Sequence, residues 1–553
     1  MTTGGASARP VGPRHWGPLE TWTIPAQLAQ RVNETPDHPF ISWGSGPVLT
    51  FAEVDYRARV LAAGLAGLGV VVGERVLTMV PNVQEFVDAW LAINLLGASD
   101  VSLNTAYRQG PLVHAANLSG ASVLVLAAEF LPTILEVEEQ LGELRTIVLV
   151  GEPHDSIAPG STGFRILDAK SLDGSAGFTE PDITAATEAS VIFTSGTTGP
   201  AKGVMMPHAQ GHAIARESID GVRLTADDIF YCFHPLFHMA GKFGALLAAL
   251  EAGCRIVLDT AFDPDRWLAR VREYGATVSI GHGPMLEMIH ARPALDDDAD
   301  NPLRALICAP LPAAIAESFE TRFGLRGVET WGMTEVTCAS WMDIDEPVRP
   351  GSAGRAVPDL VDIRVVDPET DEELPAGTAG EIVVRPLQPW VVSPGYLNMP
   401  DKTLETWRNL WFHTGDAGYL DDAGYLYMVD RLGDRIRRRA ENIASYDIEV
   451  AAGSFDRVTE AAAIGVPSGL AGDDDIKLFV ASDGGPILWE ELFVHLVERL
   501  PHYMVPRFYE QIGALPRTPT NKVQKGLLRK QEPGTVWDYR EAGLSIRQAR
   551  GEA

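Results

Sequence analysis

Val191-Ile192-Phe193-Thr194-Ser195-Gly196-Thr197-Thr198-Gly199-Pro200-Ala201-Lys202-Gly203 sets an apolar strand directly ahead of a run of hydroxyls, glycines and one cation. Such a loop is suited to polyphosphate. Glycines let the backbone approach phosphate oxygens with its N–H groups turned inward, hydroxyls donate further hydrogen bonds, and the lysine offsets charge. The GxxxxGK[ST] spacing of a Walker A loop is missing, so the helix N-terminus geometry of that loop does not follow. Thr194, Ser195, Gly196, Thr197, Thr198, Gly199 and Lys202 are the first candidates for a nucleotide phosphate site.

On both sides of this loop, amphipathic helical stretches alternate with short apolar strands. Before it, Tyr56 to Leu68 and Val83 to Leu96 have helical spacing, and Arg75 to Val80 and Ser122 to Leu126 read as buried strands. After it come a helix around Gly211 to Ile219, a strand Arg255 to Leu258, a helix Pro264 to Tyr274 and a strand Thr277 to Ile280. This alternation predicts α/β architecture, with parallel sheets covered by helices on both faces. Between about Gly354 and Val384 the pattern changes to alternating Val-rich strands with Pro/Gly turns, which predicts a small β-barrel-like unit.

The expected organisation is a flexible leader over 1–18, a large N-terminal domain of two mostly parallel sheets plus the β-barrel-like unit over 19–431, and a small mobile α+β C-terminal domain over 432–553. Gly433 in Arg431-Leu432-Gly433-Asp434-Arg435 marks the boundary, because glycine permits backbone angles other residues resist.

The 553-residue chain is 46% hydrophobic and carries a formal net charge of −29, which argues against a nucleic-acid partner or an anionic membrane surface. Cationic groups must then be concentrated locally to hold an anionic ligand, and Lys202, Arg431, Lys522 and a divalent metal are the candidates. Cys232, Cys254, Cys308 and Cys338 are far apart in sequence, without a CxxC pair, and read as reduced thiols of a cytoplasmic protein. The first twenty residues show no secretory signal, and no apolar run approaches the roughly 20 residues of a membrane helix. Oligomeric state is left open.

The phosphate loop resembles that of the adenylate-forming superfamily, which includes acyl-CoA synthetases, aryl acid ligases, nonribosomal peptide adenylation domains and firefly luciferase. Matching segments recur in order: Phe51-Ala52-Glu53-Val54, Trp331-Gly332-Met333-Thr334-Glu335, Trp411-Phe412-His413-Thr414-Gly415-Asp416, Asp430-Arg431, and Pro516-Arg517-Thr518-Pro519-Thr520-Asn521-Lys522. They span about Leu49 to Leu528. The resemblance implies attack of a carboxylate on the α-phosphorus of ATP, loss of pyrophosphate, and transfer of the acyl group to CoA. Such chemistry depends on positioning and charge stabilisation more than on acid–base work.

On that resemblance Lys522 is the catalytic cation between α-phosphate and carboxylate, with Asn521 in place of the usual glycine. Glu335, after Thr334, is suited to hold Mg²⁺ against the phosphates. Asp416 offers acceptors for the ribose hydroxyls, Arg431 a nearby donor, and Trp331 a surface beside the adenine or acyl pocket. His234-Pro235-Leu236-Phe237-His238-Met239-Ala240-Gly241-Lys242 matches the segment flanking the carboxylate, which makes His238 catalytic and pocket-lining; His282 and Ala309 are further pocket candidates. The Arg435 to Ile443 segment resembles carnitine/crotonobetaine-type CoA ligases, with Ala440 where glycine is usual.

Two departures open an alternative. Lys242 lies in a normally apolar region and implies a pocket for an anionic or strongly polar group, and Ala440 stands at the expected pantetheine tunnel. Some members of the superfamily, in biosynthetic pathways, are diazotases that activate nitrite toward an aromatic amine such as an aminobenzoate or aminocinnamate, and a resemblance to these would explain both. A third reading is a catalytically silent binding protein, against which Lys522, Glu335 and Asp416 count.

Overall fold

The computed structural model describes residues 15–151, 162–172, 174, 177–194, 201–431, 436–438, 441–443, 445–468, 474–483, 485–500, 502, 504–518, 523–532 and 534–549. The two sheets expected on either side of the phosphate loop are present. In the seven-stranded sheet, Arg165–Asp168, Thr146–Val150, Val123–Ala127, Arg75–Met79, Ser99–Ser102 and Glu188–Thr194 run parallel in that order, and Lys202–Pro207 closes the edge antiparallel to Glu188–Thr194. Thr194 and Lys202, which flank the phosphate loop, are thus paired across the hairpin at the edge of this sheet. Val123–Ala127 is buried along its whole length, as expected of a strand covered on both faces.

The nine-stranded sheet is parallel through Arg255–Leu258, Ile229–Cys232, Val278–Gly281, Ala305–Cys308 and Arg326–Met333, with Pro39–Trp43 parallel beside Arg255–Leu258. The carboxyl ends of Ile229–Cys232, Val278–Gly281, Ala305–Cys308 and Arg326–Met333 thus open side by side, the usual position for a ligand crevice in such sheets.

Helices fill the space around the sheets for reasons visible in their sequences. Phe51–Gly67 begins with a capping box in which Thr50 and Glu53 satisfy each other's backbone N–H groups. Gln84–Leu95 buries residues on every side, including Trp90 at 1% exposure. His208–Val222 is likewise buried over most of its length.

The expected β-barrel-like unit is a five-stranded antiparallel sheet that reaches farther along the chain than its Val-rich start suggested. It comprises Val361–Val366, Gly380–Pro386, Trp411–Leu420, Trp407–Arg408 and Leu426–Arg431. Beyond it, a four-stranded sheet of Val458–Pro467, Asp474–Ser482, Phe508–Gln511 and Val536–Asp538 packs with Ser445–Gly453 and Trp489–Arg499 around its own apolar cluster. This is the α/β fold expected, a large body followed by a smaller α+β one. Trp16, placed by the sequence in the expected leader, is buried, lies with its ring centre 5.7 Å from that of Trp22 and donates from Nε1 to Asp220 at 2.7 Å.

Lys242 requires a correction. It lies in the π-helical stretch Ala240–Leu247, fully buried, and its ammonium pairs with Asp100 while donating to Ser102 Oγ at 2.7 Å and Ser190 Oγ at 3.0 Å. Thr78 and Ser102 hydroxyls also donate to the Asp100 carboxylate, at 2.7 and 2.6 Å. The charge is neutralised inside the protein and is not offered to a substrate. Burial pulls the Lys242 pKa below its ordinary value, and Asp100 opposes that shift. The cluster ties the segment after His238 to the strand that ends at Thr194.

Removing one partner leaves the other charge buried and unpaired. Asp100→Ala should therefore lower the free energy of urea unfolding by about 3–5 kcal/mol. Lys242→Met combined with Asp100→Leu should recover part of that loss, because no charge then remains buried.

Candidate active site

Lys202, Glu335 and Tyr396 meet at the edge hairpin. Lys202 Nζ donates to Tyr396 Oη at 3.3 Å and lies 4.4 Å from the centre of the same ring, and Tyr396 Oη donates to Glu335 Oε1 at 2.9 Å. Burial, reinforced by Glu335, raises the Tyr396 pKa, which keeps the hydroxyl protonated and able to donate. The 393–397 segment holds this arrangement through its backbone. Ser393 N–H donates to Glu335 O at 2.9 Å, and Leu397 N–H to Gly203 O at 2.8 Å.

The turn that presents Glu335 follows Trp331 at the end of Arg326–Met333. Gly332 is required there, since a Cβ would lie 2.0 Å from the Thr337 carbonyl oxygen. Gln210 Nε2 donates to Thr334 O at 2.8 Å. Glu217 accepts from Thr337 Oγ1 at 3.1 Å and from Cys338 N–H at 3.0 Å, and burial raises its pKa well above the ordinary carboxylate range.

Trp331 Nε1 donates to Asp416 Oδ2 at 3.1 Å, joining two of the expected nucleoside residues. Asp416 is positioned by a tight turn. Gly415 has a positive φ of 70°, its N–H donates to Glu381 Oε1 at 3.1 Å, and Glu381 Oε2 pairs with His413 Nδ1 at 2.9 Å. Arg431 lies opposite Asp416 in the antiparallel register.

The acid-side candidates gather at the strand ends. His282 follows Val278–Gly281, its ring centre 6.5 Å from that of His238 and 4.3 Å from that of His234. Ala309 follows Ala305–Cys308, and its N–H donates to Gly281 O at 3.2 Å. Lys242 is absent from this group. Lys522, Ser195, Gly196, Thr197, Thr198, Gly199, Gly433 and Ala440 lie outside the described residues. Arg517 and Val523, which bracket Lys522, pair in an antiparallel bridge, and the charge of Arg517 acts on Glu287 in the helix Gly283–His290 that follows His282.

Tyr396 and Glu381 were missed in the sequence. Tyr396 sits in Pro394-Gly395-Tyr396-Leu397-Asn398, a turn-like stretch with no charge to draw notice, and Glu381 reads as one polar position of an alternating strand.

A family model described as AMP-binding enzyme matches residues 28–397, and its C-terminal-domain companion matches 447–522. Feruloyl-CoA synthase from Amycolatopsis sp is 33% identical over 522 residues, covering 93% of this chain and 99% of that protein. 4-coumarate–CoA ligase 5 of Oryza sativa subsp. japonica is 30% identical, covering 88% of this chain and 90% of that protein. The crystal structure of ATP-bound MatB from Rhodopseudomonas palustris superposes with a TM-score of 0.79 at 27% identity, covering 91% of this chain and 98% of that one. The chain belongs to the AMP-binding enzyme family of adenylate-forming ligases.

Tyr396→Phe keeps the ring beneath Lys202 and removes the hydroxyl from Glu335. It should lower kcat/KM for ATP by roughly 10- to 100-fold, the range for a lost hydrogen bond to a charged group, with little change in the unfolding midpoint. A second test concerns Glu329, just ahead of Trp331, whose pKa burial pushes up to about 8, with the Leu311 N–H partly opposing. Between the ordinary value of 4.5 and about 8 the folded state holds a proton that the unfolded state has lost, so this group makes stability fall as pH rises through that window. Glu329→Gln should flatten that fall, which is at most about 1.4 kcal/mol per pH unit, in urea melts taken across the window.

Proposed function

We propose that this enzyme is an acid–CoA ligase, which converts a carboxylic acid and ATP to an acyl adenylate and pyrophosphate and then passes the acyl group to CoA. The observation that carries the reading is the link from Lys202 through Tyr396 to Glu335, which sets a cation and a carboxylate at fixed positions beside the phosphate hairpin. Similarity along nearly the full length of proteins named as CoA ligases supports the second half-reaction.

In this reading Lys202 and the loop hydroxyls and N–H groups at 194–199 hold the polyphosphate. Trp331 borders the nucleoside, while Asp416 and Arg431 engage the ribose. Glu335 fits Mg²⁺, being a hard oxygen donor at 4% exposure oriented by the Tyr396 hydroxyl. Among the described residues no three His, Cys, Asp or Glu side chains gather at ligand spacing, so phosphate oxygens and water would complete the shell. When bound, the ion neutralises charge on the departing pyrophosphate.

His238 and the neighbouring strand ends orient the acid. One carboxylate oxygen attacks the α-phosphorus, the bond to the bridging oxygen of pyrophosphate breaks, and Lys522 stabilises charge on the α-phosphate. CoA thiolate then attacks the acyl carbon and AMP leaves with that oxygen. The smaller body, taken to start near residue 432, moves between the two steps. Four free cysteines, of which Cys232, Cys254 and Cys308 are buried, support a reducing compartment, and we read the protein as cytoplasmic.

The nitrite-activating alternative loses its main support, because Lys242 is paired with Asp100 and not directed at a ligand. Ala440 lies outside the described residues.

Pyrophosphate release with an acid panel, with and without CoA, tests the assignment. The expected result is acid-dependent exchange of labelled pyrophosphate into ATP without CoA, and AMP accumulation that requires CoA. Lys522→Ala should reduce exchange by about 100-fold or more while ATP still binds, as for loss of a transition-state charge partner. Exchange at the wild-type rate in that variant would remove Lys522 from the chemistry.

A further inference from the structure

The helix Gln109–Ser119 reaches the chain next to each member of the Lys202–Tyr396 contact without contributing to that contact itself. Leu112, Ala115 and Ala116 set its inner side in one apolar cluster with Val191, on the strand leading to Thr194, and with Leu397, the residue after Tyr396. Asn117 anchors it elsewhere. Its Nδ2 donates to Gln140 O at 2.8 Å, and its Oδ1 accepts from Gly142 N–H at 3.2 Å.

Two hydrogen bonds connect this helix to the site. His114 Nε2 lies 2.9 Å from Ala201 O. A carbonyl can only accept, so Nε2 bears the proton and donates. That carbonyl belongs to the peptide leading into Lys202, whose plane the imidazole therefore fixes. One turn further along the helix, Asn398 Nδ2 donates to Leu118 O at 2.9 Å. Leu118 O is among the last four carbonyls of the helix, which have no partner within it, so the amide caps the helix while tethering the segment that carries Tyr396. Asn398 has a positive φ of 52°, a conformation that asparagine tolerates better than most residues.

Lys202 and Tyr396 are 194 residues apart, and the bond from Lys202 Nζ to Tyr396 Oη is already 3.3 Å long. A small displacement of either backbone would break it. Leu397 N–H to Gly203 O joins the two segments just after Lys202, and His114 holds the residue just before it, so the lysine is fixed on both sides along the chain. We propose that His114 and Asn398 are positioning residues for ATP, which use one helix as a common brace to hold Lys202 against Tyr396. This rests on the adenylating reading, in which Lys202 meets the polyphosphate. Neither residue touches the nucleotide; each acts through the Lys202–Tyr396 contact.

The test reads the Kd of Mg·ATP by calorimetry, with exchange of pyrophosphate into ATP across the acid panel as a separate check on the adenylating reading. His114→Leu should raise the Kd by roughly 3- to 10-fold, the range for one lost hydrogen bond, and His114→Gln, which keeps an N–H donor, should return it to within about twofold of wild type. Asn398→Gly removes the amide at an exposed position whose φ glycine accepts, and should raise the Kd over the same range. In a Tyr396→Phe background each of these effects should shrink to below about twofold, because the contact they serve is already lost. Asn398→Gly carries this cycle even if His114→Leu fails to fold. An unchanged Kd in both variants, or equal fold-changes with and without the Tyr396 hydroxyl, would overturn the brace and leave the adenylating reading standing. Absence of exchange with every acid would overturn that reading, while the calorimetric ratios would still decide the brace. No ATP binding in wild type would overturn both.

Discussion

The contact on which the proposed site depends is the hydroxyl of Tyr396, placed between the Lys202 ammonium and the Glu335 carboxylate. Lys202 belongs to an edge hairpin of one sheet, Glu335 follows the last parallel strand of another, and Tyr396 comes from neither. An acidic protein that binds a polyanion must hold its cations in place, or nearby carboxylates will capture them directly. Here the tyrosine separates the pair while hydrogen-bonding to both, so the lysine is oriented and Glu335 still lies beside the phosphate hairpin.

The surrounding fold supplies rigidity to that contact. The Asp100–Lys242 cluster joins the strand leading to Thr194 with the segment following His238. Glu217 and Gln210 project from one buried helix onto the Thr334–Thr337 turn. Glu381 does the same for the turn carrying Asp416. These are buried polar groups with defined partners, which specify one arrangement more than they add stability.

Much of the architecture was legible in the sequence, because strands buried on both faces must be apolar and the helices between them must alternate. Val191-Ile192-Phe193 and Arg255 to Leu258 were read on that basis, and the helix ahead of Leu68 only started earlier than its apolar spacing implied, at its Thr50 cap. Lys242 was misread because its partner lies 142 residues away, and a lone lysine in an apolar stretch carries no mark of a buried counterion. Trp16 was assigned to a flexible leader for a similar reason, since Asp220, which fixes it, is remote in the chain. Tyr396 and Glu381 act by orienting other residues, and such roles have no local pattern.

The central claim is that a carboxylate oxygen of the acid becomes bonded to the α-phosphorus of ATP. Turnover of an acid labelled with ¹⁸O in its carboxylate, followed by mass analysis of the nucleotide products, tests it most directly. The account predicts one label in AMP and none in pyrophosphate. Label in inorganic phosphate with ADP as the product, or AMP free of label, would contradict it.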